Sequence, residues 1–285
     1  MKLVVVTGSR ADWGLLEPVV ELMEKDPFFK VEILKIWDFR SWEALRKVSA
    51  VIRPSAYKLV LLLGDRFEIM GAAMAAHLAR IPIAHIAGGD VTEGSYDDAM
   101  RDCISRMATL HFVTSTSAMA RLTGLGYQNI HLVGNPGTDV IRAGKWKSEH
   151  PIKGPYVVIS YQPETIDGTN EIAELIASLP KDKTQVFFTS NKDKGADTIN
   201  HSIREHAAQV GAIVHEFLPH ADFLNLIYHC DEFIGNSSSM LYEAPELGVK
   251  IRMVGKRQRG RVIPMGDGKA SERIVKILKY TAGTL

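Results

Sequence analysis

The chain has 285 residues and a mass of 31.5 kDa, which at about 150 residues per domain suggests roughly two domains. Hydrophobic residues make up 46% and charged residues 24%, a balance that excludes a disordered, collagen-like or coiled-coil chain. A net charge of +1 gives no global bias toward nucleic acid or an anionic membrane. The two cysteines, Cys103 and Cys230, imply no disulfide framework and fit a reducing compartment.

The first apolar run, Leu3 to Val6, is expected to be a strand and is too short for a signal-peptide core. Leu15, Leu16, Val19, Val20 and Met23 follow with helical spacing. Val31–Ile36 predicts a second strand, Ser41–Ile52 a helix, Lys58–Leu63 a third strand and Glu68–Leu78 an Ala-rich helix. The strongest apolar run, Leu59–Leu63, is far shorter than a bilayer span, so a soluble cytoplasmic protein is expected, with no membrane partner. Pro82–Ile86, Leu110–Val113 and Ile130–Val133 continue the strand series.

Arg142–Pro155 is polar and rich in Gly and Pro, as a linker would be. After it come strands at Tyr156–Tyr161, Gln185–Thr189, Ala212–His215, Glu232–Ile234 and Lys250–Val254. Helices are expected at Asn170–Leu179, Asp197–Val210, Ala221–His229, Ser239–Leu247 and Ser271–Tyr280. Apolar strands alternating with helices predict an α/β fold of two doubly wound Rossmann-like domains, residues 1–150 and 151–285, the last helix packing back on the first domain. Ligands of such sheets bind at the carboxyl ends of the strands, and with two domains the cleft between them is the first place to look.

Four strand-end loops could carry chemistry. Thr7-Gly8-Ser9-Arg10-Ala11-Asp12 is a strand–Gly loop–helix unit that either receives a phosphate or is a tight turn with Asp12 as a helix cap. Gly64-Asp65-Arg66-Phe67-Glu68 puts charges directly after a buried strand; the bland alternative is a cap at Asp65 with a surface Arg66. His85-Ile86-Ala87-Gly88-Gly89-Asp90 leads through a polar loop to Asp97 and Asp98, which also suit a helix start, and His85 reads equally as a satisfied core histidine. Gly235-Asn236-Ser237-Ser238-Ser239 opens a helix, so free N–H groups, hydroxyls and the helix dipole make an anion site, with Glu243 one turn in where a ribose could bond. Asn236-Ser237-Ser238 also matches a glycosylation sequon. Lys250 to Arg261 holds six basic residues and no acid, either a solvated surface or a means of neutralising a diphosphate; nucleic acid is not the expected partner.

TGSRADWGLL, GDRFEI, IPIAHIAGGDVTEGSYDDAMRD, VGNPGTD, GNSSSMLYEAPELG and GKRQRGR occur in order along nearly the whole chain. Together they resemble the hydrolysing UDP-N-acetylglucosamine 2-epimerases of sialic-acid-type sugar biosynthesis. The resemblance implies a GT-B fold, a UDP-like nucleotide-sugar substrate, and release of UDP and N-acetylmannosamine through a 2-acetamidoglucal-type intermediate, with no metal or dinucleotide cofactor. It assigns Asp65 and Asp97 as catalytic carboxylates. Ser237, Ser238 and Glu243 would hold phosphates and ribose, and Arg10 and Arg257 would face the diphosphate. Arg66 and Asn191 would complete the binding residues. A homo-oligomer is compatible with it.

The chain departs from the family pattern at three positions. Ala87 stands where an ionisable residue, often Glu, is usual; Gln162 stands where His precedes Pro; and Asp102 replaces the His of an Arg-His pair. The segment joining the second and third strands, about Trp37 to Ala56, is short. The nucleotide-holding half is therefore better preserved than the half that moves protons. The sequence leaves three readings open: cleavage of UDP-N-acetylglucosamine or a close relative with or without C2 epimerisation, a related nucleotide-glycoside hydrolase or glycosyltransferase on another sugar or base, or a catalytically silent nucleotide-sugar binder.

Overall fold

In a computed structural model of the chain, residues 1–37, 41–92, 96–165, 168–191, 193–258 and 266–283 are described, without the side chains of Arg10, Ser41, Trp42 and Ala44. The chain forms two compact units: residues 1–91, 97–142 and 266–285 in one, and 92–96 with 143–265 in the other. Among the described residues no helix is long and apolar enough to cross a membrane.

The first unit runs β1 (Lys2–Thr7), α1 (Arg10–Lys25), β2 (Lys30–Lys35), α2 (Ser41–Val51), β3 (Leu59–Leu63), α3 (Phe67–Leu78), β4 (Ile83–Ile86), α4 (Asp97–Met107), β5 (Leu110–Val113), α5 (Thr116–Gly124), β6 (Ile130–Leu132) and α6 (Pro136–Ala143). Its six strands are parallel in the order β2-β1-β3-β4-β5-β6. The central strands β3, β4 and β5 are buried throughout, whereas edge strands β2 and β6 are partly exposed. This is why the middle strands read as continuous apolar runs: helices cover both faces, so no residue of the strand meets water. One face packs Leu3, Val5, Leu59 and Leu61 under α1, and the other packs Val4, Val6, Val60 and Leu62 under the Ala-rich α3.

The second unit runs β7 (Tyr156–Ser160), α7 (Ile172–Ala177), β8 (Thr184–Phe188), α8 (Ala196–Val210), β9 (Ile213–His215), α9 (His220–Tyr228), β10 (Glu232–Gly235), α10 (Glu243–Leu247) and β11 (Ile251–Met253). Its parallel order is β11-β10-β7-β8-β9. The last helix, α11 (Ala270–Thr281), returns to the first unit, where Ile274 and Leu278 join the core beneath α1. Asp139 of α6 caps it, accepting from the Ala270 and Ser271 amides at 3.0 and 2.6 Å.

The structure bears out the α/β class with two doubly wound parallel sheets, and it corrects some elements. Helices α5 and α6 are too short to show an apolar period; their signals are a Ser115 N-cap, whose Oγ accepts from the Ala118 amide at 3.2 Å, and Pro136 at the first helical position. The polar link between the units therefore begins at residue 144, because Arg142 and Ala143 finish α6. The helix expected over Ser239–Leu247 is a 3-10 turn, Ser238–Met240, followed by the separate α10. Pro245 has no N–H to donate to Leu241, so the helix restarts with Pro245 in its first turn.

Gly235 ends β10 at φ 139, and a Cβ there would lie 1.9 Å from the Ser160 carbonyl oxygen. That close approach lets the Asn236 amide donate to the same oxygen at 3.1 Å. Gly235→Ala should therefore lower the urea midpoint by the equivalent of roughly 2–5 kcal/mol, summing backbone strain and overpacking. An unchanged midpoint would show that the two strand ends can separate.

Candidate active site

Each sheet reverses its strand order once, between β1 and β3 in the first unit and between β7 and β10 in the second. Crevices at such reversals, at the carboxyl ends of the strands, are where doubly wound sheets receive ligands. The loops singled out by sequence leave these strands.

In the first unit, Ser9 caps α1, its Oγ accepting from the Asp12 amide at 3.1 Å, and Thr7 Oγ1 donates to the Ser9 carbonyl at 2.8 Å. Asp12 is thus the acid of a capping pair and not the cap itself. Its Oδ2 is buried and has no hydrogen-bond partner among the described residues. Burial pushes the Asp12 carboxyl up to about 6; Arg66 and the Ser9 hydroxyl oppose that rise, and Glu68 adds to it. The Arg10 side chain, expected at the diphosphate, lies outside the described residues.

After β3, Arg66 does not stand alone at the surface: its Nε donates to Oε1 of the buried Glu68 at 2.9 Å. Asp65 accepts from Nη2 of Arg101, a guanidinium only 4% exposed. Nη1 of Arg101 donates to Asp98 and, at 2.6 Å, to the Asp90 carbonyl. The guanidinium therefore links the β3 loop, the β4 loop and α4. Asp98 shares it with Asp65, and Asp97 precedes Asp98 as the first residue of α4. Asp102 lies on the same helix, paired at 2.9 Å with Arg121 in a half-exposed setting.

His85 is the satisfied core histidine of the bland reading. Its Nε2 lies 2.7 Å from the Gly64 carbonyl and its Nδ1 3.0 Å from Ser105 Oγ. A carbonyl only accepts, so Nε2 carries the proton and Nδ1 accepts from the serine. Burial pushes the imidazole down to about 4, so the ring is neutral at pH 7 and fixes the carbonyl just before Asp65. Ala87, two residues on, sits at φ 65, a left-handed conformation that is strained for a residue with a Cβ.

In the second unit, Asn236 is fully buried and braces the rim. Its Oδ1 accepts from the Gln162 amide at 2.6 Å and its Nδ2 donates to the Gln162 carbonyl at 2.9 Å, so the sequon asparagine is unavailable for modification. Gln162 Oε1 in turn accepts from the Asn191 amide at 2.9 Å, tying the β7 loop to the β8 loop. Asn191 Nδ2 donates to Asp193 at 2.5 Å. Glu164 Oε1 accepts from the Lys256 amide at 2.6 Å, and Arg257 Nη1 donates to the Pro163 carbonyl at 2.9 Å, so the loop after β11 is clamped to the loop after β7. Arg257 also lies 3.9 Å from Asp193 and is 9% exposed.

The Ser237 and Ser238 amides donate to no described group, and the Ser239 amide meets only Ser237 Oγ at 3.3 Å. These donors and hydroxyls stand ready for an anion. Glu243 opens α10 beside them, 8% exposed.

The basic stretch divides. Lys250 and Arg252 reach Glu232 at 3.1 and 3.3 Å on the β11 side, Arg257 turns into the rim, and Arg259 and Arg261 lie outside the described residues. The second-unit rim thus holds Asn191, Ser237, Ser238, Glu243 and Arg257 in strand-end loops of one sheet, and the first-unit rim holds Asp65, Arg66 and Asp97. The bracing roles of Arg101, Asn236 and Glu164 carried no sequence signal, since each rests on at least one partner distant in the chain.

The Asp12 carboxyl yields a pH prediction. Its folded-state value lies above the ordinary 3.8, so folding binds a proton there; the cost is absent below about 4 and fully present above about 6. Asp12→Asn should stabilise by about 2 kcal/mol at pH 8 and much less at pH 4.5, measured by thermal melts against the unmodified protein at each pH. An equal gain at both pH values would show that the carboxyl is not strained by burial.

A family model described as UDP-N-acetylglucosamine 2-epimerase matches residues 40–263. The polysialic acid biosynthesis protein P7 of Escherichia coli is 25% identical, the alignment covering 92% of this chain and 80% of that protein. A Campylobacter jejuni protein named GDP/UDP-N,N'-diacetylbacillosamine 2-epimerase (hydrolyzing) is 29% identical over 72% of this chain and 58% of its own length. Among solved structures, a Staphylococcus aureus MnaA–UDP complex superposes with a TM-score of 0.78 at 17% identity, covering 100% of this chain and 97% of that one. With the model matching most of the chain, the protein belongs to the UDP-N-acetylglucosamine 2-epimerase family.

Proposed function

We propose that the protein cleaves a UDP-type sugar nucleotide, UDP-N-acetylglucosamine or a close relative, to free nucleotide and free sugar. The observation that carries this reading is the division of chemistry between the two strand-order reversals. One offers the unpaired amides of Ser237 and Ser238, with serine hydroxyls and a buried carboxylate beside them; the other offers carboxylates arranged around a buried guanidinium. Family membership supports the same substrate class, as does the naming of relatives as hydrolysing epimerases of UDP-linked amino sugars.

In this reading Ser237 and Ser238 receive phosphate oxygens, and Glu243 accepts from the ribose. The amides gain most where charge grows on the departing diphosphate, so they accelerate breakage of the C1–oxygen bond. Arg257 adds a cation at the same rim. Asp65, its direction fixed by Arg101 and by His85 through Gly64, accepts a proton from the sugar or from the attacking water, and Asp97 is its partner carboxylate.

Two observations favour hydrolysis over C2 epimerisation. Ala87 has no proton to exchange. The Gln162 side chain accepts from the Asn191 amide, so it serves as a strut between loops and not as an acid or base. Epimerisation through a glucal needs a base to remove the C2 proton and an acid to return one to the opposite face, and each missing group costs about 10²–10⁴-fold. Direct hydrolysis needs only that water oxygen bond C1 as the bond to phosphate breaks, with the water's proton passing to a carboxylate and the electron pair to the diphosphate.

The reaction in D₂O separates the routes. UDP-N-acetylglucosamine should give UDP and a sugar that keeps its C2 protium and its gluco configuration, followed by NMR. Rapid formation of N-acetylmannosamine fully deuterated at C2 would show that other residues move the proton. Absence of any released nucleotide across a panel of nucleotide sugars would leave binding without turnover.

A further inference from the structure

Most side chains at the rim of the second sheet are paired; among the described residues Oε2 of Glu164 is left over, and so are two groups that face each other. Glu243 carries no hydrogen bond to another described group although it is 8% exposed. The nearest partner is His220, the first residue of α9, whose Nε2 lies 3.7 Å from Glu243 Oε1. That is too long for a hydrogen bond. Both ring nitrogens of His220 are buried and neither has a partner. His85 shows the contrast: its ring is fully buried and both of its nitrogens are bonded. Two unmet polar groups placed side by side, in a rim where Asn236, Gln162 and Asn191 are paired, indicate a bond that another state of the site completes.

The helix that carries the ring is anchored, so only a small side-chain movement separates the two groups. α9 packs against α10, and Phe223, one turn further along α9, meets Phe188 and Phe233 edge-on at 5.4 and 6.2 Å. A carboxylate only accepts, so the tautomer that serves it carries the proton on Nε2. A glutamate backed by such a donor keeps its remaining lone pairs aimed in one direction and loses less rotamer freedom when a ligand arrives.

We propose that His220 is a positioning residue for Glu243: it closes onto the back of the carboxylate when a nucleoside diphosphate binds and orients it to accept the ribose hydroxyls. The inference rests on the nucleotide reading of this rim. His220 acts on the ribose through Glu243 and leaves the phosphate donors at Ser237 and Ser238 untouched.

The test compares UDP with 2′,3′-dideoxy-UDP by calorimetry. His220→Phe should weaken UDP binding by about 10–150-fold, the effect of one lost hydrogen bond to a charged group, and leave dideoxy-UDP unchanged. His220→Gln, which can still present an N–H to Glu243, should recover most of the loss. In a Glu243→Ala background, His220→Phe should have no further effect. Dideoxy-UDP binding also reports that each variant is folded, and His220→Asn, too short to reach Glu243, replaces the Phe variant if that one does not fold. Equal losses for both nucleotides, or no loss for UDP, would overturn the role of His220 while leaving the nucleotide site standing. Failure of the unmodified protein to bind UDP would remove the nucleotide reading and this inference together.

Discussion

A guanidinium buried at the edge of a parallel sheet has to be neutralised and hydrogen-bonded where it sits, and the order of the first unit's rim follows from that requirement. Arg101 is 4% exposed, and its partners include groups from three segments: Asp65 after β3, the Asp90 carbonyl after β4, and Asp98 on its own helix. Loops that would otherwise move independently are held in register by one cation. Removing any carboxylate leaves the charge partly unmet, so the cluster is costly to dismantle and rigid while intact. His85 works on the same loop from below through a neutral ring bonded to the Gly64 carbonyl. Asp65 is thereby fixed both in charge environment and in position, as the proposed catalytic role requires.

The second unit reaches the same rigidity with side-chain amides and a clamp of two charged side chains that bond backbone groups. Asn236 bonds both backbone groups of Gln162, Gln162 bonds the Asn191 amide, and Glu164 and Arg257 clamp the loop after β11. The difference suits the proposed division of labour. A site for a diphosphate should offer donors without an excess of fixed anions, and the brace beneath Ser237 and Ser238 is an amide. The carboxylates of that rim are set apart: Glu164 and Asp193 are occupied with the clamp, and Glu243 stands further along the chain beyond the 3-10 turn.

Most of the fold was legible because buried parallel strands advertise themselves. Leu59–Leu63 is apolar at every position, and Tyr156–Ser160 carries three consecutive apolar residues and is buried at every position, since both faces are covered. The two short helices α5 and α6 were not legible, since eight or nine residues give too few turns for a period to stand out. The break before α10 was legible in principle, through Pro245, and was masked by the run of serines. For the candidate site, the sequence located the loops but not the wiring within them. Asp65 and Arg66 looked like neighbours that would pair; instead Asp65 pairs with Arg101, thirty-six positions away, and Arg66 with Glu68. Partnerships of that kind depend on which strand ends lie side by side, and a local pattern of residues does not encode the order β1-β3-β4.

The departures at Ala87 and Gln162 differ in kind. Ala87 is a loss: a small residue in a left-handed conformation, φ 65, carrying the strain of a Cβ without a functional group to justify it. Gln162 is a replacement with a use, because its Oε1 receives the Asn191 amide and so ties the β7 loop to the β8 loop. An ionisable ring at that position would trade the strut for a proton. The chain has kept the bracing that holds an anion-binding rim in shape and given up groups whose value lies in exchanging protons. Binding and bond breakage at a phosphate rely on fixed donors, whereas inversion at a carbon next to an amide relies on a matched acid and base. The pattern of what is retained therefore favours departure of the nucleotide as the step this rim supports best.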